Sequence, residues 1–490
     1  MITAGIDCGT QSTKVICYDS DIKRIVCMTN EAHSIIEKND GTREQLASWY
    51  VDAVVKCFQQ IPKEIRTQIK GIGVSGQQHG FVALDEEGNT LVPVKLWCDT
   101  STTLQCKELT EKLGGKDEVF SLIGNYILPG YTVSKVLYLK ENNPEKYQKL
   151  AHILLPHDYL NYYLTGTYVT ERGDASGTAY YDVRHKKWSK EVLAALDEER
   201  DLETLLPRIL EPTEIAGYVR PAIIEQLGLS GKVVVSSGGG DNMMGAIGCG
   251  CVHEGDLVMS MGTSGTLFGF SNVPICDEQG RLAGFMASSG GYLPLLCTMN
   301  CTVAMEQIRK LFNVDVRKFD EIASKAAPGA SGMLILPYFN GERTPNYPHG
   351  EAVLGGVNTL NLSMENIARA SLESAVYSMR RGLDAFVEKG FSPKKLLLIG
   401  GGANSRVWTQ IVSDIFGLPV SIPAIHESAA FGGVLQILSI LEDKPLPEIA
   451  EKHCRLEDKE YKPQTDKKSF YQATYEKYKA YETGMKNLFS

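Results

Sequence analysis

The 490-residue chain has no run of about 18 apolar residues, so no transmembrane helix is expected. Its twelve cysteines include no CxxC pair. Cys249-x-Cys251 and Cys297-x-x-x-Cys301 lack a histidine or a second pair at zinc spacing, and the nine histidines include no HExxH. The thiols therefore read as small, reduced hydrophobes of a cytoplasmic protein. There is no long block of Lys or Arg, and 50 basic against 59 acidic residues leave a net charge of −9. Nucleic acid and an anionic membrane are thereby excluded as main partners, though one local site can still oppose the global sign. Asp7 and Gly9 fall where a signal peptide needs its apolar stretch. No GxxxxGK[ST] occurs, so a P-loop is excluded, and the absence of an HRD…DFG set excludes a protein kinase. Gly71-Ile-Gly73-Val-Ser-Gly76 matches GxGxxG, but it spans a strand instead of opening a helix, so a dinucleotide fold is rejected.

What is abundant is glycine, 47 residues, about a tenth of the chain against a usual ~7%. The excess is clustered. Ile2, Ala4 and Ile6 alternate into Asp7-Cys8-Gly9-Thr10-Gln11-Ser12, and Val15 to Tyr18 resumes the apolar pattern, which predicts a hairpin with a Gly/Thr/Ser tip. The device returns at Asp256 to Met261, Gly262-Thr263-Ser264-Gly265-Thr266 and Leu267 to Phe270. Gly9 and Gly262 lie 253 residues apart, about half the chain, and this reads as two related halves facing each other. Helices are expected over 45–60, 108–113, 133–141, 303–312, 406–416, 428–441 and 470–488, and a long one opens at Ser363 and stops at Gly390. Strands are expected over 69–74, 232–237, 333–336 and 395–399, and a hairpin over 81–96. Strands alternate with helices, so the class is α/β.

The first tip can hold phosphate. Its glycine lets the backbone approach, successive N–H groups form an anion concavity, Thr10, Gln11 and Ser12 add polar side chains, and Lys14 adds a charge. Asp7, at the strand end, suits Mg²⁺ held with intervening water. Alone, this is also what an ordinary turn looks like. A second tip, Gly262-Thr263-Ser264, supplies what gripping a triphosphate from both sides requires. Gly238-Gly239-Gly240-Asp241-Asn242 ends a strand and opens a helix. Asp241 is there either a general base for a substrate hydroxyl or an N-cap, and three glycines suggest a ligand lying on the backbone. Gly400-Gly401-Gly402-Ala403-Asn404 repeats the device, either for a flat ring such as adenine or for close packing. His79, within Gln77-Gln78-His79-Gly80, is either structural or a polyol ligand.

Taken together these segments resemble the FGGY carbohydrate kinases from Ile2 to about Leu441, and most closely the members that phosphorylate ketopentoses such as D-xylulose. The stretches that carry the resemblance are Gly5-Ile-Asp7-Cys-Gly9-Thr10, Ser75-Gly-Gln77-Gln78-His79-Gly80, Asp174-Ala-Ser-Gly-Thr178, Gly238-Gly-Gly-Asp241-Asn242, Met261-Gly-Thr-Ser-Gly265 and Gly400-Gly-Gly-Ala-Asn404. A second family signature runs from Ala352-Val-Leu-Gly-Gly-Val357 through Asn366 to Ala370-Ser-Leu-Glu373.

The resemblance implies two actin-like, RNase H-like domains facing each other across an ATP and sugar cleft. It implies that Asp241 is the catalytic base, Asp7 the Mg²⁺-linked carboxylate, and Gln78 and His79 the sugar contacts, with Asn242, Trp97 and Asp99 beside them. Gly9, Thr10, Gln11, Ser12 and Lys14, with Gly262, Thr263 and Ser264, match the phosphate loops. Gly401, Gly402, Ala403 and Asn404 match the nucleotide wall. The expected division is 1–250 for sugar, metal and base, 251–445 for nucleotide, and 446–490 as a helical tail. ATP, Mg²⁺ and a ketose are the implied partners, in the cytoplasm, with a homodimer left open. Three positions depart from the usual pattern: Cys98 and Ser101, in Trp97-Cys98-Asp99-Thr100-Ser101 where Trp-Asn-Asp-x-Arg is common, and Tyr138 where Trp is common after Lys135. Alternatives are a kinase for ribulose, gluconate or glycerol, or an actin-like ATPase or chaperone. The latter would have little need of Gln77-Gln78-His79-Gly80. A sugar-responsive regulator lacks its helix-turn-helix before Ile2.

Overall fold

A computed structural model describes residues 1–489 of the chain. Two sheets dominate it, and they share one strand order. In the N-terminal sheet, β1 (Ile2–Cys8), β2 (Ser12–Asp19) and β3 (Arg24–Ala32) form an antiparallel meander. β4 (Ile69–Gly76) adds parallel to the free side of β1, and β5 (Ile215–Tyr218) and β6 (Val234–Ser236) complete the order β5-β6-β4-β1-β2-β3. The two-residue β7 (Gly239–Gly240) continues along the end of β4. In the C-terminal sheet, β8 (Asp256–Met261), β9 (Gly265–Gly269) and β10 (Leu295–Thr298) repeat the meander. β11 (Lys395–Ile399) and β12 (Val420–Ser421) then follow in parallel, giving the order β10-β9-β8-β11-β12. The halves expected from the two tips are thus two copies of one actin-like, RNase H-like frame.

Each half ends in a helix that packs across the boundary. α1 (Asp241–Gly248) follows the N-terminal sheet, yet its Met243 and Ala246 share a core with Val258, Phe268 and Leu397 of the other sheet. The long α2 (Met364–Glu388) starts at Ser363, whose hydroxyl accepts from the Asn366 N–H at 3.2 Å, and the chain leaves it through Gly390 at φ +88°. α3 (Ser428–Glu442) lies against β1 and β4: a side chain on Gly5 would overlap the Ala430 carbonyl, and one on Gly73 the Gly433 carbonyl. The helices α1 and α3 themselves cross where Gly248 meets Ser428 and Gly432 meets Met244. The glycines of Gly71-Ile-Gly73-Val-Ser-Gly76 therefore serve helix–strand and strand–loop contact, since Gly71 meets Ile437 and Gly76 meets His157.

One expectation changes. The hairpin over 81–96 survives only as isolated bridges. Val82–Leu84 pairs with His152–Leu154, and Val94–Lys95 pairs with Arg43–Gln45, because both segments find longer partners elsewhere. The last helix, α4 (Lys468–Phe489), packs its Tyr471, Tyr475, Tyr478 and Phe489 into the C-terminal core with Tyr377 and Trp408. All twelve cysteines are free thiols. No helix among the described residues is long and apolar enough to cross a membrane.

Candidate active site

Asp7 stands next to last in β1, in register with Lys14 on β2 and Ser75 on β4. The Ser75 hydroxyl donates to Asp7 Oδ1 at 3.0 Å. Burial pushes the Asp7 carboxyl above its ordinary value, and Ser75 and Lys14 pull it back only in part. The tip beyond it is braced from within: the Gly9 N–H donates to the Ser12 carbonyl at 3.0 Å. The Thr10 hydroxyl donates to Gln77 Oε1 at 3.0 Å and accepts from Trp97 Nε1 at 2.9 Å, while Gln45 Nε2 donates to the Thr10 carbonyl at 2.8 Å. Thr10 thus spends its side chain on holding the tip. Gln11 is exposed and Ser12 half-buried at the same turn. Lys14 stands 4.0 Å from Glu427, which precedes α3, so its charge faces the other half of the molecule.

Asp241 is the first residue of α1, and Gly240 holds the cap position, so Asp241 is not the N-cap. Its Oδ1 accepts from the Asn242 N–H at 2.8 Å and from Asn242 Nδ2 at 3.1 Å. Burial first, then the Asp7 and Asp174 carboxylates, push Asp241 up to about 7 despite these bonds. The three glycines before it do not form an empty shelf. A side chain on Gly238 would meet Val74, His157 and Asn161; one on Gly239 would meet Ser288 and Met244; one on Gly240 would meet Gln78 and Asp174. The chain's own side chains fill the space that the sequence reading gave to a ligand.

His79 sits at φ +64° with its ring 4.7 Å from that of Tyr131 and 5.7 Å from that of Phe285, which comes from the other half. Lys135, itself pushed down to about 7 by burial, donates to the His79 carbonyl at 2.6 Å and to the Gly130 carbonyl at 2.7 Å. Burial and the Lys135 ammonium push His79 down to about 3, so its ring is neutral at working pH, suited to hydrogen bonding and not to proton transfer. Gln78 is turned inward, 4% exposed, with Oε1 accepting from Asn242 Nδ2 at 2.9 Å. Asp99 is fully buried: Oδ2 accepts from the Arg43 N–H at 2.8 Å and Lys95 Nζ at 3.3 Å, and Oδ1 accepts from Ser101 Oγ at 2.6 Å and the Ser101 N–H at 3.0 Å. Asp99 is therefore a brace of the wall that carries Trp97.

In the other half the tip is one residue shorter. Cys8 pairs with Thr13 in the first hairpin and Met261 with Gly265 in the second. The Gly262 and Thr263 carbonyls accept from the Thr302 and Cys301 N–H groups at 3.0 and 2.9 Å, and the Thr263 side of the turn is exposed beside half-buried Gly262 and Ser264. Gly400 and Gly402 pack on Met261, whereas a side chain on Gly401 would meet nothing within 4 Å. Gly401 and Asn404 are exposed, and Gly402 and Ala403 are buried. This segment follows β11, the fourth strand of its sheet, and Gly238–Asn242 follows β6, the sixth of its own and the counterpart of β12, so the two glycine runs are not equivalent places in the repeat.

The model for the N-terminal domain of the FGGY carbohydrate kinases matches residues 2–248, and that for the C-terminal domain matches residues 257–438. The chain belongs to the FGGY family of carbohydrate kinases. Such a kinase uses ATP and acts on a sugar. This FGGY kinase is 40% identical over 483 residues to the xylulose kinase of Haemophilus influenzae, covering 97% of this chain and 98% of the relative. The crystal structure of a xyloylose kinase from Brucella ovis superposes with a TM-score of 0.92 at 26% identity, covering 100% of both chains. The gluconate kinase of Lactobacillus acidophilus gives the same TM-score at 22% identity, over 99% of this chain and 98% of that one, and shows the fold alone.

Several residues of this kinase's site escaped the sequence reading. Gln45 holds the Gly9–Ser12 tip, Tyr131 and Phe285 flank His79, and the Arg343 guanidinium is close enough to lower the His79 imidazole and to offset part of the burial that raises the Tyr131 phenol. None carries a local signal, because each acts from a different segment. Asp174 was visible as part of a motif but not as a neighbour of Asp241.

Proposed function

We propose that this kinase transfers the γ-phosphoryl group of ATP to the 5-hydroxyl of D-xylulose, with Asp241 as general base. The observation that carries the reading is Asp241 itself: a carboxylate pushed up to about 7, at a helix start, beside Asp7. A base whose pKa lies near working pH is both ionised often enough and basic enough to act. In the step, the Asp241 carboxylate takes the hydroxyl proton, the sugar oxygen bonds to the γ-phosphorus, and the bond from that phosphorus to the bridging oxygen of ADP breaks. His79, as a neutral imidazole over Tyr131, is the sugar-binding group, with Trp97 and Asn242 beside it, and Gln78 and Asp99 support these from behind. The tip at Gly9–Ser12 and the tip at Gly262–Ser264 hold the phosphates from two sides. Gly401, open above its backbone, and Asn404 receive the adenine.

Mg²⁺ fits Asp7. Only Oδ1 of that carboxylate is engaged, and no group of three or more His, Cys, Asp or Glu among the described residues could hold a metal ion. A single carboxylate with water and phosphate oxygens is the usual Mg²⁺ arrangement. Bound there, the ion would neutralise charge on the phosphate oxygens. Twelve free thiols support a cytoplasmic setting.

The sugar is favoured by the relatives named xylulose kinase and by the Gln77-Gln78-His79-Gly80 segment. The test is ADP release across a panel of ketoses and polyols. D-xylulose is expected to have the highest kcat/KM, by roughly 10²–10⁴ over sugars that leave two polar groups unpaired. A higher value for ribulose, gluconate or glycerol overturns the sugar and leaves the family standing. ATP hydrolysis that no sugar stimulates would favour the ATPase reading.

A further inference from the structure

Behind Asp241 lies a buried ionic cluster that the phosphoryl-transfer step does not use. His157 and Asp174 are fully buried and Asp158 is 1% exposed. The imidazole stands between two carboxylates, Nδ1 to Asp174 Oδ2 at 2.6 Å and Nε2 to Asp158 Oδ1 at 2.9 Å. The two carboxylates push the imidazole well above its ordinary value even though burial opposes this. Asp174 meets the imidazole through Oδ2, and burial pushes its carboxyl up to about 6 despite that bond. Its Oδ1 is buried with no partner, and so is Gln78 Nε2.

The two side chains meet the same space beside Gly240. A side chain on Gly240 would stand 3.1 Å from Asp174 Oδ1 and 3.2 Å from Gln78 Cδ. One group is a lone acceptor and the other a lone donor; they make no direct hydrogen bond, and a single water between them would satisfy both. From Gln78 the connection continues outward. Its Oε1 accepts from Asn242 Nδ2 at 2.9 Å, and the same Nδ2 donates to Asp241 Oδ1 at 3.1 Å. The Gln78 amide has only one orientation that serves both ends, with oxygen toward Asn242 and nitrogen toward Asp174.

We propose that His157 and Asp174 are positioning residues: they fix the amide of Gln78, which through Asn242 aims the Asp241 carboxylate at the acceptor hydroxyl. The proposal rests on Asp241 being the base. It accounts for the bare Gly240, which leaves the room that the Asp174–Gln78 junction occupies, and for a Gln78 turned away from the cleft.

The test reverses the junction. Gln78→Glu puts an acceptor where the donor was, and kcat should fall ~10–100-fold, the cost of a small misplacement at a reacting centre, with the KM for ATP within about twofold. Asp174→Asn alone should give a similar loss. Combined in one chain, the two changes restore a donor–acceptor pair, and kcat should return to within about fivefold of the unmutated enzyme, a coupling that independent structural damage cannot produce. Losses that multiply, or a Gln78→Glu enzyme with unchanged kcat, overturn the proposal. Should a buried variant fail to fold, Asn242→Ala cuts the same connection at its half-buried end. It should lower kcat about tenfold at unchanged Tm, and an unchanged kcat there overturns the proposal as well. Asp241→Asn is measured alongside. If it keeps its activity, the base assignment fails first; if it is inactive while the other losses multiply, only the positioning role fails.

Discussion

The two halves of the molecule share a strand order and differ at the two places where a carboxylate matters. By their tips, Asp7 of β1 corresponds to Ser260 of β8; by sheet order, Asp241 at the start of α1 corresponds to Ser428 at the start of α3. The N-terminal copy holds both acids, and burial pushes both carboxyls above their ordinary values. The C-terminal copy holds hydroxyls there and an open backbone at Gly401. A duplicated frame thus offers two similar turns, and in the reading proposed above the side chains placed around them divide the labour: acid–base chemistry on one, nucleotide contact on the other. The exchange of α1 and α3 ties the halves at the base, where backbone touches backbone without side chains between.

The comparison can be broken most severely at that tie. Gly73→Ala would drive a methyl group into the Gly433 carbonyl, and neither backbone can yield as a flexible side chain would. The cost should exceed the ~1–3 kcal/mol typical of overpacking, and thermal denaturation should show a large loss of Tm or no folded protein. Next in size, Asp7→Asn should lower kcat roughly 10²-fold and weaken the response to Mg²⁺, whereas Ser260→Asn at the matching place should change kcat little; steady-state rates against Mg²⁺ concentration distinguish them. A smaller effect is expected on the nucleotide side. Gly401→Val should raise the KM for ATP about tenfold and leave the KM for sugar near its original value, consistent with a loss of about 1.4 kcal/mol of binding.

The smallest effect concerns pH. Asp241 must be ionised to accept a proton, and its carboxyl is pushed up to about 7. As pH falls below that value, kcat/KM should drop tenfold per unit, and above it a plateau is expected. Asp7 is the nearest charge raising this value, so Asp7→Asn should move the acid limb to lower pH, by a fraction of a unit to one unit. A limb that moves upward, or none at all near 7, contradicts the assignment of the two acids.

What was legible in the sequence was local. The hairpin tips, the start of α2 at Ser363 and the helix at 406–416 each announce themselves within a few residues, through glycine, a capping hydroxyl or apolar spacing. What was not legible depends on distant segments. Three glycines before Asp241 look the same whether a ligand or the protein fills the space above them, and the fillers come from His157, Asp174 and Ser288. Thr10 looked free for phosphate because Trp97 and Gln77, which use up its hydroxyl, lie 87 and 67 residues away in the chain. Asp99 was expected beside the sugar, and nothing within its own segment reveals that the Arg43 N–H and the Lys95 ammonium donate to its Oδ2. Residue types reveal what a group can do, and the long-range contacts decide which of its atoms remain free to do it.

The division of labour between the halves is tested most directly by one titration with one variant. Asp241→Asn is to be assayed for phosphoryl transfer to D-xylulose under saturating ATP and Mg²⁺, with nucleotide affinity measured on the same preparation by calorimetry. The account predicts a kcat lowered by ~10²–10⁴ with nucleotide affinity within about twofold of the unmutated enzyme. A variant that keeps more than about a tenth of kcat, or one that loses nucleotide affinity together with activity, would contradict it.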